Sequence, residues 1–220
     1  MVQKRSGTTI TSGEAAAAEP KRRGRPRAYQ PEVALAKALD LFRKDGFAAT
    51  SLDDLSAATG MNRPSLYGAF GDKRGLYIKS YARYRADARA AMADIFKTEL
   101  PIKKRLARIF AVALDIYLSG DQGPRGCFTV MTAASESVAD PDIRAMVLEG
   151  FCELDKAFAA CFKIAKEKGE LPATVDPLVL AQLASATIHT IAIRARAQVP
   201  RKELEAIVRG AIGVMCERKP

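Results

Sequence analysis

A chain of 220 residues, 48% apolar, lacking Trp and rich in Ala, Leu, Lys, Arg and Glu, predicts an all-α fold of one large or two small domains. Its formal charge of +10 is uneven: residues 1–85 carry 16 Lys/Arg against 8 Asp/Glu, residues 86–220 carry 19 against 17, so the basic excess is either a footprint for phosphate or a solubilising tail. A single His without HExxH, GxSxG or a phosphate loop excludes the usual catalytic centres, and no cofactor is expected.

The first residues, Met1 to about Pro20, are small, polar and Ala-rich and predict disorder; they lack the apolar run of a signal peptide. A compact basic element follows, PKRRGRPR from Pro20 to Arg27. A helix is predicted from Pro31 to Asp45, with Leu35, Leu39 and Phe42 as its apolar stripe and Gly46 as its end.

Thr50 to Phe70 reads as two short helices joined by a tight turn. Thr50 is expected to cap the first, with Asp53 three residues on, and Leu52, Leu55 and Ala58 give it one buried face. Gly60 supplies the turn, Asn62 caps the second helix and Pro64 sits in its first turn, where no N–H is missed. Leu66 and Phe70 point inward at i, i+4, which leaves Pro64, Ser65, Tyr67 and Gly68 on the other side. So slight an outer face suits a DNA major groove better than a protein partner.

Asp72 opens a longer helix to about Thr98, with Tyr77, Tyr81 and Tyr84 at i, i+4, i+7 packing the junction between head and body. Amphipathic helices are predicted over Ile102 to Ser119, Cys127 to about Val138, and Pro141 to Lys168. The helix from Pro177 to about Gln198 is apolar on every side, yet too short and too punctuated by polar residues for a membrane span. The last helix, Arg201 to about Cys216, is apolar along one face. Helices 177–198 and 201–216 together carry more apolar surface than one small bundle needs, which predicts a homodimer through a two-fold four-helix interface.

Four cysteines stand far apart without a CxxC pair. Cys152 and Cys161, nine residues apart on one helix, lie on opposite sides and about 13 Å apart along the axis, so they share neither a metal nor a disulfide. A reduced, cytoplasmic setting is the expectation. Cys127, at a helix start after Arg125 and Gly126, is open to two readings: a thiol activated by helix terminus and cation, or a small buried residue. His189 is expected to be a hydrogen-bonded core residue.

The segment GFAATSLDDLSAATGMNRPSLYGAFGDKRGLY, Gly46 to Tyr77, resembles the TetR family of bacterial transcriptional regulators. The resemblance in sequence runs from about Pro31 to Tyr81; beyond that it rests on helix order and chain length. It implies a homodimer that sets one head on each half-site of a near-palindromic, double-stranded operator, with a small-molecule inducer held in the C-terminal domain. A second match, RGCFTVMTAASES from Arg125 to Ser137, looks like a Gly-Cys segment of several branches, including repressors that sense electrophiles through cysteine. The expected organisation is a disordered basic arm over 1–27, a helix-turn-helix head over 28–75, and a ligand-binding and dimerisation body over 76–220.

The expected DNA-binding residues follow. Asn62 and Arg63 stand at the N-terminal end of the recognition helix, and a bidentate Arg63–guanine pair discriminates by about 1–3 kcal/mol. Ser65 reaches a base or a phosphate, Pro64 shares that end, and Gly68 permits close approach. Thr50, Tyr67 and Lys73 match the family's phosphate-contacting positions. Arg25, in an arm that resembles an AT-hook core, is expected in a narrow A·T minor groove. A dimer that neutralises six to ten phosphates loses roughly 10³–10⁵-fold in affinity between 50 and 200 mM salt. The rival from another class is an architectural DNA-binding protein led by the AT-hook arm, without an inducer; a stand-alone helical enzyme is the third.

Overall fold

The computed structural model describes residues 30–121 and 123–217; the basic arm over 1–27, and Arg25 with it, lies outside them. Among the described residues there are helices and no strands: α1 (Pro31–Ala49), α2 (Leu52–Thr59), α3 (Arg63–Phe70), α4 (Lys73–Lys97), α5 (Ile102–Leu118), α6 (Phe128–Ala134), α7 (Glu136–Ala139), α8 (Pro141–Glu167), α9 (Pro177–Arg196) and α10 (Arg201–Met215). The all-α prediction holds. The stretch expected as one helix from Cys127 to Val138 is two, broken at Ser135 (φ −122°, ψ −84°), whose hydroxyl donates to the Met131 carbonyl (2.8 Å).

The head, α1 to α3, closes on Phe42, Leu55, Leu66 and Phe70, all buried. Its α1 breaks its regular path at Gly46, as the sequence reading placed it, although three further residues turn before Thr50. The helix cap of α2 is Ser51 rather than Thr50. The Asp54 N–H donates to Ser51 Oγ (3.1 Å), and the Ser51 N–H donates back to the Asp54 carboxylate (2.8 Å), a reciprocal box one residue later than expected. Thr50 turns inward instead, its hydroxyl donating to the Gly46 carbonyl (2.6 Å).

Helix α4 runs without interruption from the head into the body, so the boundary expected at residue 75 falls within its first turn. Its tyrosine stripe makes the junction, as predicted. Phe128 of α6 sits edge-on to Tyr77, Tyr81 and Tyr84, with ring centroids 5.2 to 5.8 Å away. Tyr77 also meets Phe42 and Phe47 of the head edge-on at 5.0 and 5.2 Å. Its hydroxyl bonds to the Thr132 hydroxyl (2.8 Å) and donates to Glu136 (3.0 Å), which gives a buried phenol its polar partners.

Three arginines complete the joint. Arg43 of α1 donates to the carbonyls of Ile116 (2.9 Å) and Gly126 (3.3 Å), and its guanidinium lies 5.3 Å from the centre of the Tyr84 ring. Arg196, at the end of α9, donates to the carbonyls of Arg43, Lys44 and Arg125 (2.8 to 3.1 Å). Arg125, buried, donates to Asp40 of α1 and to the Gly123 carbonyl. The loop between α5 and α6 is thus held between head and body. Gly126 in it has φ +66°, and a Cβ there would stand 3.0 Å from the Ala192 carbonyl oxygen, so close approach of α9 requires glycine.

The body is built on α8 packed along α9, with α5 and α10 against α9. Contrary to the expectation that it is too short and too polar, α9 at 20 residues and mean hydropathy 1.4 is long and apolar enough, by length and composition, to cross a membrane. Its inner side, with Leu180, Ala184, Ile188 and Ile191, is buried against the bundle. The opposite side is not covered: Val179, Leu183 and Ile193 are about half exposed, and Val214 of α10 is 74% exposed.

A second clasp ties α4 to α8. Arg74 donates to both Asp140 oxygens (2.6 and 2.9 Å) and to Asp142 (2.7 Å). The Arg74 guanidinium, with the N–H groups of Ile143 and Asp142, holds the Asp140 carboxyl down at about 2. Because its folded value is depressed, this contact is complete above the ordinary carboxylate range near 3.9 and fades as pH falls through about 2. We expect Arg74→Ala to move the Asp140 carboxyl midpoint, followed by NMR, upward toward that ordinary range. A midpoint that does not move would show that the clasp is not made in solution.

Candidate nucleic-acid interface and ligand cavity

Helix α3 begins where Gly60 (φ 71°) turns the chain and Asn62 caps it, the Ser65 N–H donating to the Asn62 side-chain oxygen (2.9 Å). Pro64 occupies the first turn, as predicted. With Leu66 and Phe70 buried, Asn62, Arg63, Pro64, Tyr67 and Gly68 are exposed and Ser65 is half-buried. Arg63 and Tyr67, one turn apart, therefore share one outer face with the neighbouring pair Pro64 and Gly68. A Cβ at Gly68 would meet nothing within 4 Å, so the fold itself does not require glycine there.

The expected phosphate contacts divide. Tyr67 is 46% exposed. Lys73, in the first turn of α4, is half-buried with its ammonium 4.3 Å from the centre of the Phe47 ring. Thr50 departs from expectation. It is 1% exposed, its hydroxyl is given to Gly46 and its N–H to the Phe47 carbonyl (3.3 Å), so neither donor is free for a phosphate. Ser51 beside it is exposed, but its hydroxyl donates to the Asp54 carboxylate (2.6 Å) within the α2 cap.

Sequence reasoning missed the partner of Arg63. Its Nε and Nη2 donate to the Asp53 carboxylate at 2.8 to 3.1 Å, joining the first turns of α2 and α3. Asp54, not Asp53 as the spacing predicts, completes the cap of α2.

Within the body lies a cavity of about 410 Å³ between α4, α5, α8 and α9. Its wall is largely apolar and aromatic, with Met92, Phe96, Phe151 and Leu154 among the lining side chains. It runs from exposed Arg89 and Lys97 to buried Tyr117 and Cys161. Two of the basic groups at the rim are paired: Arg85 donates to Glu149 (2.8 Å) and Glu153 (2.9 Å), and Arg89 reaches Glu153 at 3.4 Å, while Lys97 forms no ion pair among the described residues.

Cys127 borders this cavity, buried, beside the hydroxyls of Tyr84 and Tyr117. Burial first, and the neighbouring thiol second, push both phenols well above their ordinary range, so they stay protonated donors. The cation expected to activate Cys127 is turned elsewhere, since Arg125 faces Asp40. The helix that follows is only seven residues long. His189, expected in the core, is half-buried on the cavity wall with its ring 5.0 Å from that of Phe151. Burial lowers its pKa, which keeps the imidazole neutral at pH 7. All four cysteines are free thiols.

Residues 34–79 match the family model described as bacterial regulatory proteins, tetR family, and residues 103–211 match that of the tetracyclin repressor-like C-terminal domain. The HTH-type transcriptional repressor ComR of Escherichia coli (strain K12) is 33% identical over 178 residues, 80% of this chain and 84% of that one. The repressor BdcR of the same organism is 33% identical over 126 residues, 57% of this chain and 62% of its own. Among solved structures, a cysteine-substituted TetR family regulator CifR complexed with 26-bp double-strand operator DNA superposes with a TM-score of 0.76 at 29% identity, covering 86% of this chain and 98% of that one. The reduced form of E. coli NemR, 19% identical with a TM-score of 0.70, shares the fold over 84% of this chain and 94% of its own. Family model, relatives and architecture agree: the chain belongs to the TetR family of bacterial transcriptional regulators.

Proposed function

We propose that the protein is a cytoplasmic repressor that binds a near-palindromic operator as a homodimer and is released by a small molecule taken into the body. The observation that carries this reading is the outer face of α3: a short capped helix, anchored by Leu66 and Phe70, that presents Arg63, Tyr67 and Gly68 to the outside. Asn62, Pro64 and Ser65 complete the end that enters the major groove, while Lys73 holds a phosphate beside it. The uncovered apolar side of α9, continued by Val214 of α10, supports dimerisation through these two helices. Half-sites about one turn (34–36 Å) apart tolerate little change in head spacing, so an inducer acts by favouring a different spacing.

The cavity supports an inducer that is largely apolar, because Met92, Phe96, Phe151 and Leu154 dominate its wall. Cys127, Tyr84, Tyr117 and His189 supply its few polar contacts. A sensing role for the Cys127 thiol is supported by its place on the cavity wall and not by a nearby cation.

Four outcomes test this reading. In gel-shift titrations, Arg63→Ala and Tyr67→Phe weaken operator binding several-fold without changing the dimer seen by sedimentation, whereas Leu183→Glu with Val214→Glu yields monomers; unchanged affinity in both head variants refutes the assignment of α3. Gly68→Ala raises stability by about 0.5–1 kcal/mol, as alanine does in a helix, yet lowers operator affinity; affinity equal to wild type would remove the close-approach role. Ala157→Phe, which fills the cavity, abolishes release by an inducer found in a ligand screen and leaves operator binding intact, whereas release that persists would move the ligand elsewhere. Cys127→Ser alters release only where the inducer reacts with thiols.

A further inference from the structure

We propose that Asp53 is a specificity-determining residue, which holds the Arg63 guanidinium in the one orientation that reads a guanine. This rests on the assignment of α3 as the DNA-reading helix and adds to it a residue of the preceding helix.

Guanidinium chemistry sets the geometry. The group is planar and has a side edge, Nε with one hydrogen of Nη2, and an end edge, Nη1 with the other hydrogen of Nη2. The side edge is the one given to Asp53. Nη1 has no hydrogen-bond partner among the described residues, and the Arg63 side chain is 54% exposed. The edge left open is therefore a pair of parallel N–H groups, the pattern that matches O6 and N7 of guanine.

Neither fold stability nor capping explains the carboxylate. An ion pair this exposed contributes little to folding. The reciprocal box that caps α2 uses Ser51 and Asp54 and leaves Asp53 out. A negative charge beside a surface that meets phosphate also weakens binding to every sequence alike. Its return is orientation: a long, freely rotating side chain reads any acceptor it can reach, whereas one fixed along its side edge reads a single base.

The test selects bound duplexes from a random-sequence library with the full-length protein and its variants Arg63→Ala, Asp53→Ala, Asp53→Asn and Asp53→Glu. Arg63→Ala identifies the half-site position at which guanine preference is lost. A bidentate arginine–guanine pair discriminates by about 5- to 150-fold. Asp53→Ala and Asp53→Asn reduce the preference at that one position about three- to tenfold through loss of side-chain fixation. They keep the other positions and hold or raise the affinity for duplex lacking the selected site. Asp53→Glu restores part of the preference, and thermal melting shows that each variant is folded.

Selection profiles for Asp53→Ala and Asp53→Asn that superpose on wild type overturn the proposal while leaving α3 as the reader. A uniform change in affinity with no change in base preference does the same, reducing Asp53 to a surface charge. If Arg63→Ala itself alters no position, Arg63 reads no base and the role of Asp53 fails, while α3 stands or falls on the paired head variants above.

Discussion

Two short helices can report on the state of a far larger body only if the joint between head and body is stiff. Here that joint adds arginine contacts to an apolar, largely aromatic seam that is continuous with the core of the head and the body. Arg43, Arg125 and Arg196 direct their guanidinium groups at backbone carbonyls and at Asp40, and Phe128 locks against the tyrosines of α4. Multiple charge-assisted bonds with fixed geometry resist sliding in a way that apolar contact alone does not. A head held by them moves with α4, α5 and the end of α9, or it does not move.

The cavity and the joint share one loop. Cys127 faces the cavity, and the Gly126 carbonyl one residue earlier accepts from Arg43 while the Gly126 N–H donates to the Tyr117 carbonyl (2.9 Å). Tyr84 borders the cavity on one side and receives the Arg43 guanidinium over its ring on the other. A molecule that displaces the Cys127 wall presses on groups that also fix α1. The glycine at 126 makes the arrangement unforgiving, since α9 approaches so closely that no side chain fits between.

The expectations that failed share a cause. Thr50 and Asp53 were given the α2 cap because capping residues repeat here in register: Thr50-Asp53 and Ser51-Asp54 satisfy the same spacing. Which pair forms depends on where the preceding chain ends its turn after Gly46; there the Thr50 hydroxyl bonds to the Gly46 carbonyl and Phe47 packs edge-on against Tyr77. Arg125 next to Cys127 in sequence suggested an activating cation; in space its side chain crosses to Asp40, 85 residues away. The tyrosine stripe and the Asn62 cap were legible because both depend on helical spacing alone.

Sequence alone determined the helical class, the helix-turn-helix with its capped second helix, the inward Leu66 and Phe70 and the apolar excess of the last two helices, because each follows from periodicity and terminal residues within a few turns of chain. Tertiary structure decided which carboxylate meets Arg63, which hydroxyl stays exposed beside α2, where the cavity opens and which carbonyls the arginines bind. Those are contacts between side chains distant along the chain, and a long flexible arginine has many carboxylates and carbonyls within its nominal reach; only the packing of the helices around it selects one.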